Sequence, residues 1–352
     1  MHHTIIMDWE ANVSVRSLSP RVPSERDKVA GFLERHGLDY EDDIEYSIGI
    51  FSGDTMVATG SLSGKVVKGV VVDEEHRGED LTAKVLTYLK IRAHNKGIDS
   101  LFIYTSPNNR EQFTALGYTR IASTEDVLLL EDNSRNFGLY LAELSGLNPQ
   151  SLLAASLVMN CNPFTFGHRY LVERAAAENP LVLLFVVQED RSVFPFDVRM
   201  KLIKEGTRDL ANVRVIPGGD YIISNATFPS YFIKDKGKIF ETHTHLDLTI
   251  FGEHIAPAAG IKRRYVGQEP FCPVTRRYNQ SMHEILPGYG IEVVEIERKE
   301  SDRTAISASE VRRLIAAGKT EDTKKLVPPY TYDFLGSAEA EDIRSKLQGG
   351  SA

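Results

Sequence analysis

Cysteine is nearly missing from this chain: there are two, Cys161 and Cys272, among 352 residues. Two thiols cannot build a disulfide framework, and such sparse use suits a reducing compartment, so a cytoplasmic location is expected. Long apolar runs are also missing. Leu181 to Val187 falls far short of the ~20 residues a membrane helix needs, so no membrane partner is expected. The opening Met1-His2-His3-Thr4 lacks a charged segment followed by an apolar one, which argues against a secretory leader. There is no basic excess either. Lys and Arg number 41 against 49 Asp and Glu, a net charge of −8, which excludes a general nucleic-acid binder. No low-complexity tract or repeat of solenoid or propeller period occurs. The tail, Gln348 to Ala352, is expected to fray. His243-Thr244-His245 could suggest a metal pair, since on a strand the two imidazoles would share a face. No Cys or carboxylate spacing completes a zinc set, so the pair reads as structural and no metal ligand is assigned.

What is present is a soluble globular composition, 42% hydrophobic and 26% charged, over a length that usually needs two cores. The turn-rich Gly146-Leu147-Asn148-Pro149 marks the expected boundary, giving domains 1–148 and 149–352. The first domain reads as short strands and one strong helix. Val66 to Val72 and Ser100 to Thr105 are strand-like. Leu81 to Asn95 has helical apolar spacing in Leu81, Val85, Leu86, Leu89 and Ile91. Glu111 to Leu116 is a short helix closed by Gly117.

The second domain alternates. Apolar runs at Leu152–Met159, Leu181–Val187, Val213–Ile216, Arg264–Val266 and Ile291–Ile296 suit a parallel sheet covered on both faces. Helical segments intervene at Arg169–Glu178, Phe196–Asp209, Thr275–Leu286 and Ser309–Ala317. This pattern predicts an α/β fold, a doubly wound, Rossmann-like sheet with its ligand site beyond the strand ends.

One segment stands at such a strand end: Asn160-Cys161-Asn162-Pro163-Phe164-Thr165-Phe166-Gly167-His168. It places Gly167 and His168 where a strand turns into a helix, whose first N–H groups attract anions. Cys161 reads as a small packed residue rather than a nucleophile. A second turn, Ile306-Ser307-Ala308-Ser309-Glu310-Val311-Arg312, has a Ser-x-x-Glu capping box. It gathers the hydroxyls of Ser307 and Ser309 and the guanidinium of Arg312 at a helix start, which also makes a phosphate site.

The Thr-x-Gly-His and Ile-Ser-x-Ser-x-x-Arg segments resemble the two signatures of the adenylyltransferase (nucleotidyltransferase) superfamily, in the same order along the chain. That resemblance implies a chain that splits ATP between its α- and β-phosphates. It casts His168 as a hydrogen-bond donor to the α-phosphate and Thr165 as a hydroxyl donor. It lets Gly167 admit the phosphates, and it puts Ser307, Ser309 and Arg312 on the β- and γ-phosphates. Asn160 and Asn162 join the ATP site. So do Arg191, from the loop Gln188–Arg199, and Arg199, which opens a helix. Mg²⁺ is expected with the triphosphate, whose oxygens supply its ligands.

Longer stretches, among them Asn162–Glu173, Glu189-Asp190-Arg191-Ser192, Val266–Phe271 and Tyr289–Glu295, resemble the citrate lyase ligase family. The resemblance implies activation of acetate as acetyl-adenylate, then transfer to the phosphopantetheine-type thiol on the acyl-carrier subunit of citrate lyase. In the first domain, Val70–Leu81 and Phe113–Tyr118 resemble the GCN5-related acetyltransferase fold. Asp80 stands where that fold has a second glycine, beside Glu79. A carboxylate there repels a pyrophosphate, so the fold is expected without acetyltransferase activity, and with a role in holding the carrier or its arm. Three other readings stay open: an adenylyltransferase of cofactor synthesis acting on phosphopantetheine or a nicotinate nucleotide, an N-acetyltransferase with a nucleotide-binding second domain, and a nonenzymatic ATP-binding regulator.

Overall fold

The computed structural model describes residues 5–8, 13–188, 192–224, 227, 237–270, 272–298, 300–301 and 304–349. The chain divides into two compact units, Met1–Phe137 and Gly138–Ala352.

In the first unit the strands are β1 (Ile5–Asp8), β2 (Val13–Leu18), β3 (Tyr46–Ser52), β4 (Thr55–Ser63), β5 (Val66–Val72), β6 (Phe102–Thr105), β7 (Thr119–Ser123) and β8 (Leu128–Glu131). They form one sheet in the order β1-β2-β3-β4-β5-β6-β8-β7. Neighbours are antiparallel except β5 and β6, which pair in parallel at Val66–Phe102 and Val67–Ile103 and then part. The helices are α1 (Pro23–Arg35), α2 (Leu81–His94) and α3 (Arg110–Ala115). Helix α2 lays Leu81, Val85, Leu86 and Leu89 on β4. Gly60 makes that approach possible, because a Cβ there would stand 2.4 Å from Val85 Cγ1. Ile91, expected on the same stripe, is exposed: it lies two residues beyond Leu89, about 200° around the helix. The helix starts at Asp80, which has a left-handed φ of 53° and makes no side-chain cap. This is the α+β arrangement implied by the acetyltransferase-like segments.

Helix α4 (Ser134–Gly146) spans the division between the two compact units and ends at the Gly146–Pro149 turn. Within the second unit the Tyr140 hydroxyl donates to the Gly218 carbonyl at 3.0 Å and Ser145 Oγ to that of Ala258 at 2.9 Å.

The rest of the second unit alternates: β9 (Ala154–Met159), α5 (Phe166–Glu178), β10 (Leu181–Val186), α6 (Phe196–Thr207), β11 (Val213–Pro217), α7 (Lys238–Ile250), β12 (Ile261–Gly267), α8 (Pro273–Ile285), β13 (Glu292–Ile296) and α9 (Ala308–Ala316). Two further helices, α10 (Pro329–Gly336) and α11 (Glu341–Gln348), close the chain. All five strands are parallel in the order β11-β10-β9-β12-β13, the doubly wound arrangement. Continuous burial of β10 is what its unbroken apolar run requires. His243 and His245 lie on helix α7, not on a strand, so the expected sharing of one face does not arise.

Strand order reverses between β9 and β12. Their pairing stops at Ser156–Arg264. Beyond it β9 stays with β10 up to Met159–Val186, and β12 stays with β13 up to Gly267–Ile296. The carboxyl half of the sheet therefore opens into a crevice, where ligands of such sheets bind.

Candidate functional site

The turn after β9 is held from below. Cys161 adopts a left-handed φ of 51° with its side chain buried. Burial pushes its thiol well above the usual range, so it is no nucleophile at neutral pH. Phe164 is fully buried against Gly206 of α6, where a Cβ would sit 2.5 Å from the ring. Asn160 and Ser192 hydrogen-bond each other at 3.0 Å, and Asn162 Oδ1 accepts from the Phe194 N–H at 3.1 Å.

Helix α5 begins with a reciprocal cap. Thr165 Oγ1 accepts from the His168 N–H at 3.4 Å, and the Thr165 N–H donates to His168 Nδ1 at 3.1 Å. The second bond determines the tautomer: a nitrogen that accepts carries no proton, so the hydrogen of the neutral ring is on Nε2. Burial, helped by the nearby positive charge of Arg298, pushes the His168 pKa from 6.5 down to about 4. The ring is neutral at pH 7, and Nε2–H is its free donor. Thr165 differs from the expectation. Its side chain is buried and its hydroxyl meets His168 Nδ1 at 3.0 Å, so it orients the histidine instead of reaching a phosphate.

The two sequence turns meet. A Cβ at Gly167 would lie 3.1 Å from the Ile306 carbonyl oxygen, so glycine lets α5 start this close to the turn before α9 without a shift of that carbonyl. Gly167 is at the second helical position, in the first turn, whose N–H groups have no acceptor within the helix. Ser307 caps α9 by accepting from the Glu310 N–H at 3.1 Å. Arg312 donates to the Asn162 carbonyl and to Ser309 Oγ at 3.2 Å, bridging both turns. Burial lowers its pKa. Two helix N-termini, a neutral imidazole N–H and a guanidinium therefore converge at the carboxyl end of β9, an arrangement suited to a polyphosphate.

Arg199 is placed otherwise than expected. It is fully buried and donates to the carbonyls of Asn160 at 3.1 Å, Val187 at 2.6 Å and Phe194 at 3.0 Å. Fully buried, it ties together the loops beyond β9 and β10. Arg191 lies outside the described residues. Arg298 was not singled out from the sequence. It follows β13, donates to the Gln268 carbonyl at 2.7 Å and pairs with Glu269, close enough to His168 to act on its titration. Its only sequence signal is a cation just past the last parallel strand. Among the described residues no group of three or more His, Cys, Asp or Glu could hold a metal ion. No helix among them is long and apolar enough to cross a membrane.

The model of the citrate lyase ligase C-terminal domain matches residues 154–335. The citrate pro-3S-lyase ligase of Klebsiella pneumoniae is 40% identical over 315 residues, 88% of this chain and 92% of that protein. That of Escherichia coli (strain K12) is 38% identical over 314 residues, 88% and 89% of the two chains. A solved bifunctional NMN adenylyltransferase/ADP ribose pyrophosphatase from Francisella tularensis overlaps loosely. It is 15% identical, has a TM-score of 0.36 and covers 56% of this chain and 52% of its own. With half the chain matched by the family model and relatives near 40% identity across nearly its full length, the chain belongs to the citrate lyase ligase family.

Proposed function

We propose that this chain activates citrate lyase by an AMP-forming ligation: it joins acetate to AMP from ATP, then hands the acetyl group to the thiol of the lyase's acyl-carrier subunit. The observation that carries this reading is the Thr165–His168 cap, which fixes the proton of the neutral imidazole on Nε2. A carboxylate oxygen attacks the α-phosphorus, the bond to the bridging oxygen breaks, and pyrophosphate leaves. His168 Nε2–H and the Gly167 N–H are the donors for charge growing on the α-phosphate, while Arg312 and Ser309 hold the departing phosphates. The carrier thiol, losing its proton, then attacks the acetyl carbon and AMP departs. No protein nucleophile is needed, which fits the buried, protonated Cys161. Mg²⁺ would be held by phosphate oxygens and would offset their charge.

In this reading residues 149–352 form the catalytic domain, the protein acts in the cytoplasm, and residues 1–148 hold the carrier or its arm. The test supplies ATP, labelled acetate and deacetylated carrier. AMP, pyrophosphate and carrier-bound label are expected. ADP, or label on an amine supplied from acetyl-CoA, overturns the reading.

A further inference from the structure

Arg264 is a cation that the chemistry above leaves unused. It lies on β12 and is 2% exposed. Strand alternation puts it on the opposite face from Tyr265, whose hydroxyl turns to Glu178 of α5. Among the described residues its Nε and Nη1 have no hydrogen-bond partner. Its polar neighbours are Tyr278, which it hydrogen-bonds, and the carboxylate of Asp247 on α7, whose Oδ1 accepts from the Ile223 N–H at 2.8 Å and Oδ2 from the Tyr278 hydroxyl at 2.7 Å. One face of the guanidinium stacks on Phe251, 4.3 Å from the ring centroid. Removing a cation from water and leaving donors unused is costly unless an anion completes the site.

Its position gives that anion an address. Arg264 is the last residue of β12 paired with β9, so it stands where the two strands part at the base of the opening between them. The segment over Asp247 contains Ile223, a β-branched residue held at a φ of 43°. Such backbone strain is maintained where the surrounding structure imposes it.

We propose that Arg264 anchors the carboxylate of the acyl substrate, a small monocarboxylate, at the base of the opening between β9 and β12. One carboxylate oxygen rests on the guanidinium and the other faces the strand ends, where the α-phosphate is attacked. The cation reduces the repulsion between a carboxylate and a polyphosphate brought into contact. This assignment rests on the ligase reading.

The test is acetate-dependent exchange of labelled pyrophosphate into ATP by the full chain and its Arg264→Lys variant. Wild-type exchange is expected, with the variant's KM for acetate raised about 10- to 100-fold and its KM for ATP within about twofold. A folded variant with an unchanged acetate KM overturns the assignment while leaving the ligase reading intact. Absence of exchange in the wild type overturns both. If the variant does not fold, wild-type crystals grown with acetate decide. A carboxylate within about 3 Å of Nε or Nη1 is expected, and acetate bound only elsewhere overturns the proposal.

Discussion

His168 is governed by one backbone hydrogen bond. Because Nδ1 accepts from the Thr165 N–H, the ring acts as a fixed neutral donor and not as a proton shuttle. His168→Ala should lower acetate-dependent pyrophosphate exchange by about 10²–10⁴-fold with the fold intact; near-normal exchange in a folded variant would contradict its role. Imidazole resonances should titrate near pH 4, well below 6.5, with the proton on Nε2 above that. The sign of the stability effect follows. Between pH 6.5 and about 4 the unfolded chain binds the proton and the folded one does not. This contribution to stability is therefore complete above 6.5 and falls as pH drops through that window. Urea titrations at several pH values measure it. Gly167→Ala should raise the KM for ATP, because its Cβ meets the Ile306 carbonyl at 3.1 Å and the two turns must separate. An unchanged KM would show that the turns accommodate the methyl group. The residue types of this site were legible in the sequence. The burial of Thr165 was not, since a hydroxyl reads the same whether it faces solvent or a ring nitrogen.

At the scale of elements, the site is a junction of turns, and Arg199 is its main tie. Its guanidinium joins the ends of β9 and β10 to the start of α6 through three carbonyls. Arg199→Ala should destabilise the second unit by about 3–5 kcal/mol, because it orphans buried acceptors as well as opening a cavity. Differential scanning calorimetry would register this, and a change below 1 kcal/mol would show that other groups hold the loops. An arginine at a helix start reads as a ligand contact from sequence because its depth is not encoded locally. Helix α7 shows the same limit. His243 and His245 alternate as on a strand, yet Phe240, Thr244 and Asp247 recur at helical spacing and all three are buried. The strands of the second unit were legible because parallel strands buried on both faces must be apolar throughout.

At the scale of the molecule, two units of different architecture share one chain. Helix α4 belongs in part to each, and its second half is held by Gly218 and Ala258 of the second unit. A chain lacking residues 1–132 keeps that helix. It should retain acetate-dependent pyrophosphate exchange while the KM for the carrier rises at least about tenfold, the loss expected when roughly 1.4 kcal/mol of carrier contact is removed. An unchanged carrier KM would remove the first unit from carrier recognition.

The sequence by itself determined the class of both units, the alternation of strand and helix, and the two phosphate-type turns, because apolar periodicity and turn chemistry are local. It also carried the family resemblance in runs such as Asn162–Glu173. Only the tertiary structure decided which polar groups are buried and which of them bond to one another. Burial turned Thr165 and Arg199 inward and made His168 a single-proton donor. It brought Gly167 against Ile306 across 139 residues of chain and left Arg264 without hydrogen-bond partners at Nε and Nη1, at the point where β9 and β12 part. Those outcomes depend on which residues meet in space, and distance along the chain does not specify that.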